Sequence, residues 1–279
     1  MNSHLSHSRL SAAPGRRICV LTATSGALLA AFFVVPHALA HDGVDSGNVA
    51  ASFRRGLIAY WESGSPDFPR QLDTTVDFWF RFHLVKAAVS ALLLAAVVVL
   101  GIFLRRLARQ RADERPGRRV LVPAGALVAL LGPFALVALV ANVQGAMAPF
   151  ASLLPLLTGG DVRADGELAG TLAQMRQQIS DHPAEGHSPA LTAMIGDFAL
   201  YHAVMAVMAA TVGLALAGVA AALWRRHRAV PDARSRRAMK AGVAASAVCA
   251  SLALVIAVAN TTSAAHSSQA LATFLDGGW

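Results

Sequence analysis

The segment DFALYHAVMAVMAATVGLALAGVAAALWRR, residues 197–226, is the most informative stretch of the chain for predicting the fold, because a similar segment occurs earlier in the sequence. The counterpart is DFWFRFHLVKAAVSALLLAAVVVLGIFLRR, residues 77–106. Both segments begin with Asp-Phe, place an aromatic–His pair before a long apolar run, and end on two arginines. Each apolar run is near or above the ~20 residues that cross a bilayer as a helix. The two segments therefore predict two membrane helices that run in the same direction.

The similarity between the two halves continues beyond these helices. The further matches are ESGSP 62–66 with EGHSP 185–189, VALVAN 137–142 with VIAVAN 255–260, and LLTGG 156–160 with FLDGG 274–278. They keep the same order, and their offset drifts only from 123 residues for the first match to 118 for the last. We therefore predict a tandem duplication, with the first repeat at 41–160 and the second at 161–279.

Composition indicates a membrane protein. Of the 279 residues, 55% are hydrophobic and only 14% are charged, whereas soluble domains carry about 25% charged residues. Four apolar runs follow the first 40 residues, at 80–104, 120–143, 198–224 and 241–260. The apolar–polar alternation of membrane strands is absent from them. The predicted fold class is an all-α integral membrane protein, with a four-helix bundle built from two parallel tandem hairpin repeats.

Charge predicts the orientation of these helices. The turns at 105–119 and 225–240 each carry seven Lys or Arg, against two acidic residues in the first and one in the second. Basic turns between spanning helices face the cytoplasm. The N-terminus of the mature chain, the central loop and the C-terminus are then extracytoplasmic, in a multi-pass plasma membrane protein. The net charge of +8 does not indicate nucleic-acid binding, because it is concentrated in these two turns.

Residues 1–40 have the features of a secretory signal peptide. Paired arginines precede the apolar stretch 20–35, and an A-x-A site ends at Ala40. The arginines also partly match a twin-arginine export signal, without its flanking serine and phenylalanine. We expect cleavage after Ala40, which would make His41 the first residue of the mature chain. The alternative is a leader that stays uncleaved as a membrane anchor.

The outer segments of both repeats predict short helices. Apolar residues recur at helical spacing in both segments, at Val49, Phe53, Leu57 and Tyr60 or Trp61 in the first and at Leu168, Leu172, Met175 and Ile179 in the second. Such a stripe buries one helical face. These extracytoplasmic capping helices either roof the bundle or lie on the outer membrane surface. We expect residues 165–180 to form a roof, because Lys and Arg are nearly absent there.

Two histidines are the main candidates for cofactor chemistry. His83 and His202 occupy matching positions near the outer ends of their helices. If both faced the pseudo-two-fold axis, their imidazoles could bind one transition metal ion or a haem iron. The alternative is an interfacial histidine that bonds a neighbouring loop. His41 is a further metal candidate, because a free amino group and its own imidazole can chelate copper.

Four other polar residues also match between the repeats. Asn142 and Asn260 each end an outward-running helix, where a helix cap or an interhelical hydrogen bond is expected. The alternative is an amide-lined outer vestibule that also includes the histidines. Asp77 and Asp197 begin the two matching entry helices.

No sequence motif indicates a reaction. The chain contains no phosphate-binding glycine loop, no H-E-x-x-H and no G-x-S-x-G. The leading hypothesis is an accessory or interaction component of the lipid bilayer, whose cap contacts a membrane protein partner or a second copy. The alternative is a metal- or haem-binding membrane protein, and a membrane-embedded enzyme such as a transferase comes third.

Overall fold

The computed structural model is helical, and it confirms the predicted all-α class. It describes residues 4–39, 43–110, 118–157, 166–181, 186–228 and 232–277. Within these ranges no strand occurs. The helices are α1 (His4–Leu39), α2 (Val49–Ser63), α3 (Arg70–Gln110), α4 (Arg118–Met147), α5 (Pro149–Leu153), α6 (Gly166–Asp181), α7 (Pro189–His227), α8 (Ala233–Ala265) and α9 (Ser267–Leu275). A 3₁₀ turn, Leu154–Leu157, follows α5.

Five helices are long and apolar enough to cross a membrane, namely α1, α3, α4, α7 and α8. The four predicted runs lie inside α3, α4, α7 and α8. The helices are longer than the runs, because α3 has 41 residues and α7 has 39. At 1.5 Å per residue each is about 60 Å long, roughly twice the hydrocarbon thickness of a bilayer. Both helices therefore extend beyond the apolar layer.

Contacts divide the chain into two compact units. Unit one contains residues 1–45 and 81–146, and unit two contains 46–80 and 147–279. The division falls inside α3. The predicted repeat boundary after residue 160 comes from sequence similarity, whereas the two units come from spatial contacts. The two boundaries therefore need not coincide.

In unit one, α1 packs against α3 and α4. Ile18 forms a buried cluster with residues of the inner half of α3 and with Ala124 of α4. Phe32 is buried, and its ring meets the ring of Phe134 edge-on at 5.6 Å. Ser25 is fully buried and its hydroxyl donates to the Leu21 carbonyl at 2.8 Å, which satisfies it within the apolar layer.

The helical leader is longer than the sequence suggested. The apolar stretch 20–35 alone is too short for a span, but the spanning part of α1 covers Gly15–Leu39, or 25 residues. This length fits the alternative of an uncleaved anchor. The expected cleavage site after Ala40, and His41 with it, lie outside the described residues.

Unit two combines the α7–α8 hairpin with a cluster of shorter helices. Gly213 of α7 allows the two long helices to approach, since a Cβ there would lie 2.9 Å from Leu254 Cγ of α8. We call the cluster of α2, α5, α6 and α9 the cap. The buried cap residues include Val49, Phe53, Leu57, Leu168, Leu172 and Met175. The helical stripes predicted for α2 and α6 are thus confirmed as buried faces, and Ile179 is half-buried.

The Ser-Pro dipeptide that ends EGHSP begins α7. Ser188 is the N-cap and its hydroxyl accepts a hydrogen bond from the Leu191 amide at 3.3 Å. Pro189 occupies the first helical position, where a missing N–H has no consequence. This local chemistry explains why the chain turns into α7 at this point.

Candidate functional site

The first histidine pairs with the first asparagine. His83 of α3 and Asn142 of α4 both lie in unit one, and their Nδ1 and Oδ1 atoms are 2.9 Å apart. The Nδ2 atom of Asn142 donates to the Ala138 carbonyl at 2.7 Å. Asn142 is buried, with 5% of its surface exposed. An interhelical hydrogen bond, one of the two roles expected for this asparagine, is therefore present.

This geometry fixes the proton on the His83 ring. A backbone carbonyl can only accept, so the amide nitrogen of Asn142 must face Ala138 and its oxygen must face the histidine. An amide oxygen also only accepts, so His83 Nδ1 must carry the proton. In a neutral ring the lone pair then lies on Nε2. Metal-binding histidines commonly have this arrangement, with the other ring nitrogen held by a second residue.

The second histidine repeats the arrangement in unit two. His202 Nδ1 of α7 lies 2.8 Å from Asn260 Oδ1 of α8. The Asn260 Nδ2 atom donates to the Ile256 carbonyl at 2.9 Å, again four residues earlier in its own helix. The same argument places the proton on His202 Nδ1. The two candidate histidines and the two candidate asparagines thus form two histidine–asparagine pairs, one in each unit.

The surroundings of the two pairs differ. Gly145 lies against the His83 ring so closely that a Cβ at this position would be 2.7 Å from His83 Cγ and Nδ1. In the second half, the residue three positions after the asparagine is Ser263. The His202 ring meets the ring of Phe198 at 4.7 Å. It also meets that of Tyr201 at 5.5 Å, a contact that corresponds to the one between Phe82 and His83.

A cation also lies near the first pair. The Lys86 ammonium is 4.4 Å from the Phe32 ring centroid and 4.9 Å from that of Phe82. The face of an aromatic ring attracts a cation. The ring of Phe82 also meets the His83 ring edge-on, with centroids 5.8 Å apart. Aromatic residues of α1 and α3 therefore hold the charge of Lys86 within unit one.

The two matched aspartates differ in their spacing from the histidines. Asp197 Oδ2 accepts a hydrogen bond from the Ala151 amide at 2.7 Å, so a carboxylate of α7 caps the N-terminus of α5. Asp77 is half-buried in the same unit. It stands six residues before its histidine and Asp197 only five. One residue rotates a position by about 100° around a helix, so the two carboxylates do not occupy equivalent faces.

The cap contains a second matched pair of contacts, which the sequence did not reveal. Arg54 of α2 donates through Nη2 to the Leu156 carbonyl at 2.9 Å. Arg176 of α6 donates through Nη2 to the Leu275 carbonyl at 2.6 Å. In each half, an outer arginine therefore holds the end of the chain segment that follows the second long helix. The sequence signal for these contacts is a basic residue beside each apolar stripe, Arg54 in α2 and Arg176 in α6.

Tyr60 links the two halves of the chain within the cap. Its side chain is fully buried, and its hydroxyl lies 3.2 Å from the Ala190 carbonyl and 3.3 Å from that of Pro66. Burial raises the pKa of Tyr60 to about 12, and the charges of Asp67 and Asp197 add to this effect. The neutral phenol is therefore the form that the folded cap retains.

A polar groove crosses the cap surface between α2 and the start of α7. It has a volume of about 370 Å³ and is lined by Trp61, Gln174, Gln177, Gln178, Asp181 and Ser188. The four α6 residues stand at i, i+3, i+4 and i+7, which places them on one helical face. This polar stripe beside the apolar one was visible in the sequence, but only the fold shows that Trp61 completes it.

The chain shows no likeness to a known site. Among the described residues, no group of three or more His, Cys, Asp or Glu side chains could hold a metal ion. No protein-family model, curated protein or solved structure matches the chain. A shared metal or haem at His83 and His202 stays a prediction, as does copper binding at His41.

Proposed function

We propose that the protein is a non-enzymatic membrane component whose cap lies outside the cytoplasm and docks a partner protein. The observation that carries this proposal is the polar groove of the cap. An enzyme would need a cluster of catalytic groups, whereas this groove combines side-chain amides with one aromatic ring and one carboxylate. Tryptophan is frequent among the residues that dominate protein interfaces.

The hydrogen bonds inside the groove define what it offers to a partner. Gln174 Oε1 accepts from Trp61 Nε1 at 2.9 Å, and Gln178 Oε1 accepts from the Ser188 hydroxyl at 2.8 Å. Gln178 Oε1 also accepts from the Ser188 amide at 3.3 Å, and the amide N–H groups of the two glutamines are the donors that they offer to a partner. Asp181 adds an exposed carboxylate. The groove therefore suits an extended segment that presents backbone carbonyls and a Lys or Arg side chain.

The extracytoplasmic position of the cap is part of the proposal. The turn between α7 and α8 carries a strong excess of positive charge, and such turns stay in the cytoplasm. The cap helices lie at the other end of the α7–α8 hairpin. A bilayer crossed by this hairpin would therefore place the cap on the outer side.

We also propose that the chain is a tandem duplication of one helix hairpin with its cap segment. The support comes from residues that match in sequence and also make the same contacts. His83 and His202 bond their asparagines through the same atoms. Arg54 and Arg176 both donate to a carbonyl near the end of their half. A four-helix bundle of two parallel hairpins is the architecture that such a duplication favours.

We propose further that α1 is not cleaved and remains in the protein as a fifth membrane helix. Ile18, Ser25 and Phe32 are buried in unit one, and they would be absent after cleavage at Ala40. The intact mass of protein purified from native membranes tests this point. A retained helix gives a chain of 29.0 kDa, and cleavage gives a chain shorter by the leader.

Site-specific photo-crosslinking in native membranes tests the docking proposal. A photoreactive residue replaces Gln177, which is exposed and lines the groove. The control replaces Gln71, an exposed glutamine of unit two that does not line the groove. We expect a discrete adduct of constant mass from position 177 and none from position 71.

A second variant ties that adduct to the groove. Trp61→Ala removes the indole that bonds Gln174, and we expect it to abolish the adduct at position 177. An adduct consisting of two copies of the chain would make the partner a second copy. Equal crosslinking from positions 71 and 177, or none from either, would contradict the proposal.

Metal or haem binding at His83 and His202 is the second candidate function. The observation in its favour is that both histidines carry the proton on Nδ1. A neutral ring of this tautomer has its lone pair on Nε2, where it can bind a metal ion. Elemental analysis and an absorption spectrum of the purified protein test it. A stoichiometric metal or a Soret band that is lost in His83→Phe and in His202→Phe would support it, and their absence from wild type would reject it.

A further inference from the structure

A strongly basic cleft lies where α7 ends and α8 begins, at the end of the hairpin away from the cap. It has a volume of about 310 Å³ and is lined by His227, Arg228, Ala233, Arg236, Arg237 and Lys240. Four of these six side chains are cations at neutral pH, and none of the described lining residues is acidic. The docking proposal for the cap does not involve this region.

The helix geometry makes these cations converge. On α8, the lining residues Ala233, Arg236, Arg237 and Lys240 stand at i, i+3, i+4 and i+7 and so share one face. On α7, the guanidinium of Arg228 lies 5.4 Å from the ring centroid of Trp224. A cation over an indole face is held in place by electrostatic attraction. The positive groups are therefore directed into one small volume.

Among the described residues of this turn, Asp232 is the single acidic side chain beside the cations. The N-terminus of a helix carries a partial positive charge, yet the first turn of α8 contains no acidic residue. Asp232 precedes the helix, and its carboxylate accepts the Ser235 amide at 2.7 Å without lining the cleft. Arginines near this terminus repel each other and the helix dipole, so a bound anion would stabilise the turn.

One further polar atom lacks a partner at the cleft. His227 Nδ1 is buried and makes no hydrogen bond within the described parts of the chain. A phosphate oxygen is an acceptor for the proton that this nitrogen carries in one tautomer. Arginine side chains add paired N–H donors, which match phosphate geometry.

The position along α7 indicates where the anion comes from. Trp224 is 47% exposed and ends the apolar part of α7. Tryptophan is enriched at the level where hydrocarbon meets headgroups. The cleft begins three residues later, at His227. Its cations therefore lie at headgroup level, while exposed apolar residues such as Val219 continue along α7 into the hydrocarbon.

We propose that the cleft between α7 and α8 binds the phosphate of an anionic phospholipid headgroup. The acyl chains of that lipid then follow the exposed apolar surface of α7. The lipid adds negative charge to a turn whose cations outnumber its one acidic residue, Asp232, and it fixes the depth of the hairpin in the membrane.

Lipid association in nanodiscs tests this site. The full chain is reconstituted in phosphatidylcholine nanodiscs that contain a minor fraction of spin-labelled phosphatidylglycerol or, in parallel, spin-labelled phosphatidylcholine. We expect wild type to prefer phosphatidylglycerol by on the order of tenfold, since each basic residue near a membrane contributes about fivefold at low salt. The double variant Arg236→Gln/Arg237→Gln should lose most of this preference.

Two control variants separate the cleft from general charge. Arg105→Gln/Arg106→Gln removes the same charge from α3, at exposed residues of unit one that do not line the cleft, and it should reduce the preference clearly less than the cleft variant does. Ala233→Phe keeps every cation but fills the cleft, and it should also abolish the preference. Helical content by circular dichroism checks that each variant is folded.

Three results would overturn the proposal. Equal losses in the two double-arginine variants would show that only total charge matters. A wild-type preference in folded Ala233→Phe would show that the cleft is not the site. Inorganic phosphate that removes the preference at constant ionic strength would identify free phosphate, rather than a lipid, as the anion.

Discussion

The two histidine–asparagine pairs have the same hydrogen bonds in different surroundings. In both, Nδ1 of the ring meets Oδ1 of the amide, at 2.9 Å in the first pair and 2.8 Å in the second. The first ring lies against Gly145, and its asparagine is buried. The second ring lies beside Phe198, and Asn260 is half-buried. The polar bond is therefore what the two hairpins share, while the packing around it differs.

This difference has a physical consequence. A hydrogen bond in an apolar layer keeps two helices in one register, because the alternative leaves a polar group unsatisfied. The second bond is less enclosed by protein than the first, since Asn260 is half-buried and Asn142 is buried. We therefore expect the first pair to be the more sensitive one in each matched test.

The largest effect is expected from Gly145→Ala. The new Cβ would lie 2.7 Å from two atoms of the His83 ring, so the ring must move and its bond to Asn142 must stretch or break. Overpacking of this kind costs about 1–3 kcal/mol. Thermal unfolding in detergent measures the loss. The matched control Ser263→Ala removes only a contact within its own helix and should change stability by less than about 0.5 kcal/mol. Equal effects would contradict the difference between the pairs.

A second test removes each asparagine in turn. Asn142→Leu keeps the volume but leaves the buried Nδ1–H of His83 without its acceptor, which costs about 1–3 kcal/mol. Asn260→Leu should cost less, because Asn260 is half-buried whereas Asn142 is buried. The melting temperatures of the two variants decide the order. A larger loss of stability in Asn260→Leu than in Asn142→Leu would contradict the expectation that the first pair is the more sensitive one.

A third test concerns Tyr60, which joins the first half to the second at Ala190. Its pKa is about 12 in the fold and about 10 in an unfolded chain. The fold thus favours the protonated phenol. Its contribution is complete below pH 10 and is lost as the pH rises from 10 to about 12.

The variant Tyr60→Phe provides the matched measurement. It loses the hydroxyl contacts to Ala190 and Pro66 and should be less stable by about 1 kcal/mol near pH 8. Between pH 10 and 12 it should lose less stability than wild type. Parallel declines of the two proteins in alkaline melting curves would show that Tyr60 is not buried as described.

The smallest effect is expected in the cap arginines. Arg54→Gln and Arg176→Gln each remove a charged donor to a carbonyl. Arg176 also bridges Asp276 at 3.2 Å, but 39% and 68% of these side chains are exposed, so that ion pair contributes little. We expect losses of about 1 kcal/mol or less from both, measured by chemical denaturation. A much larger loss in one half would show that the two cap segments are not equivalent.

Much of the architecture follows from sequence periodicity. The apolar runs identified α3, α4, α7 and α8, because a helix in lipid must be apolar over its whole length. The stripes identified α2 and the buried face of α6, because one-sided burial leaves a period near 3.6 residues. The polar residues that match in position between the two halves also predicted both histidines and both asparagines as candidate site residues.

The remaining features depend on which helix faces which. Gly145 has no special signal in the sequence, and its role appears only when α3 and α4 pack in a defined register. The bond from Asp197 to α5 joins segments 46 residues apart, and periodicity within one helix carries no information about such a contact. The packing of α1 was missed because its apolar core alone is shorter than a bilayer span.

The central claim is that each hairpin is closed by the same histidine–asparagine bond, and a double-mutant cycle at each pair measures it. The cycles combine His83→Phe with Asn142→Leu, and His202→Phe with Asn260→Leu. We predict a favourable coupling of about 0.6–1.7 kcal/mol in each cycle, with the larger value for the first pair. Single-variant effects that add within about 0.5 kcal/mol in both cycles would contradict the account.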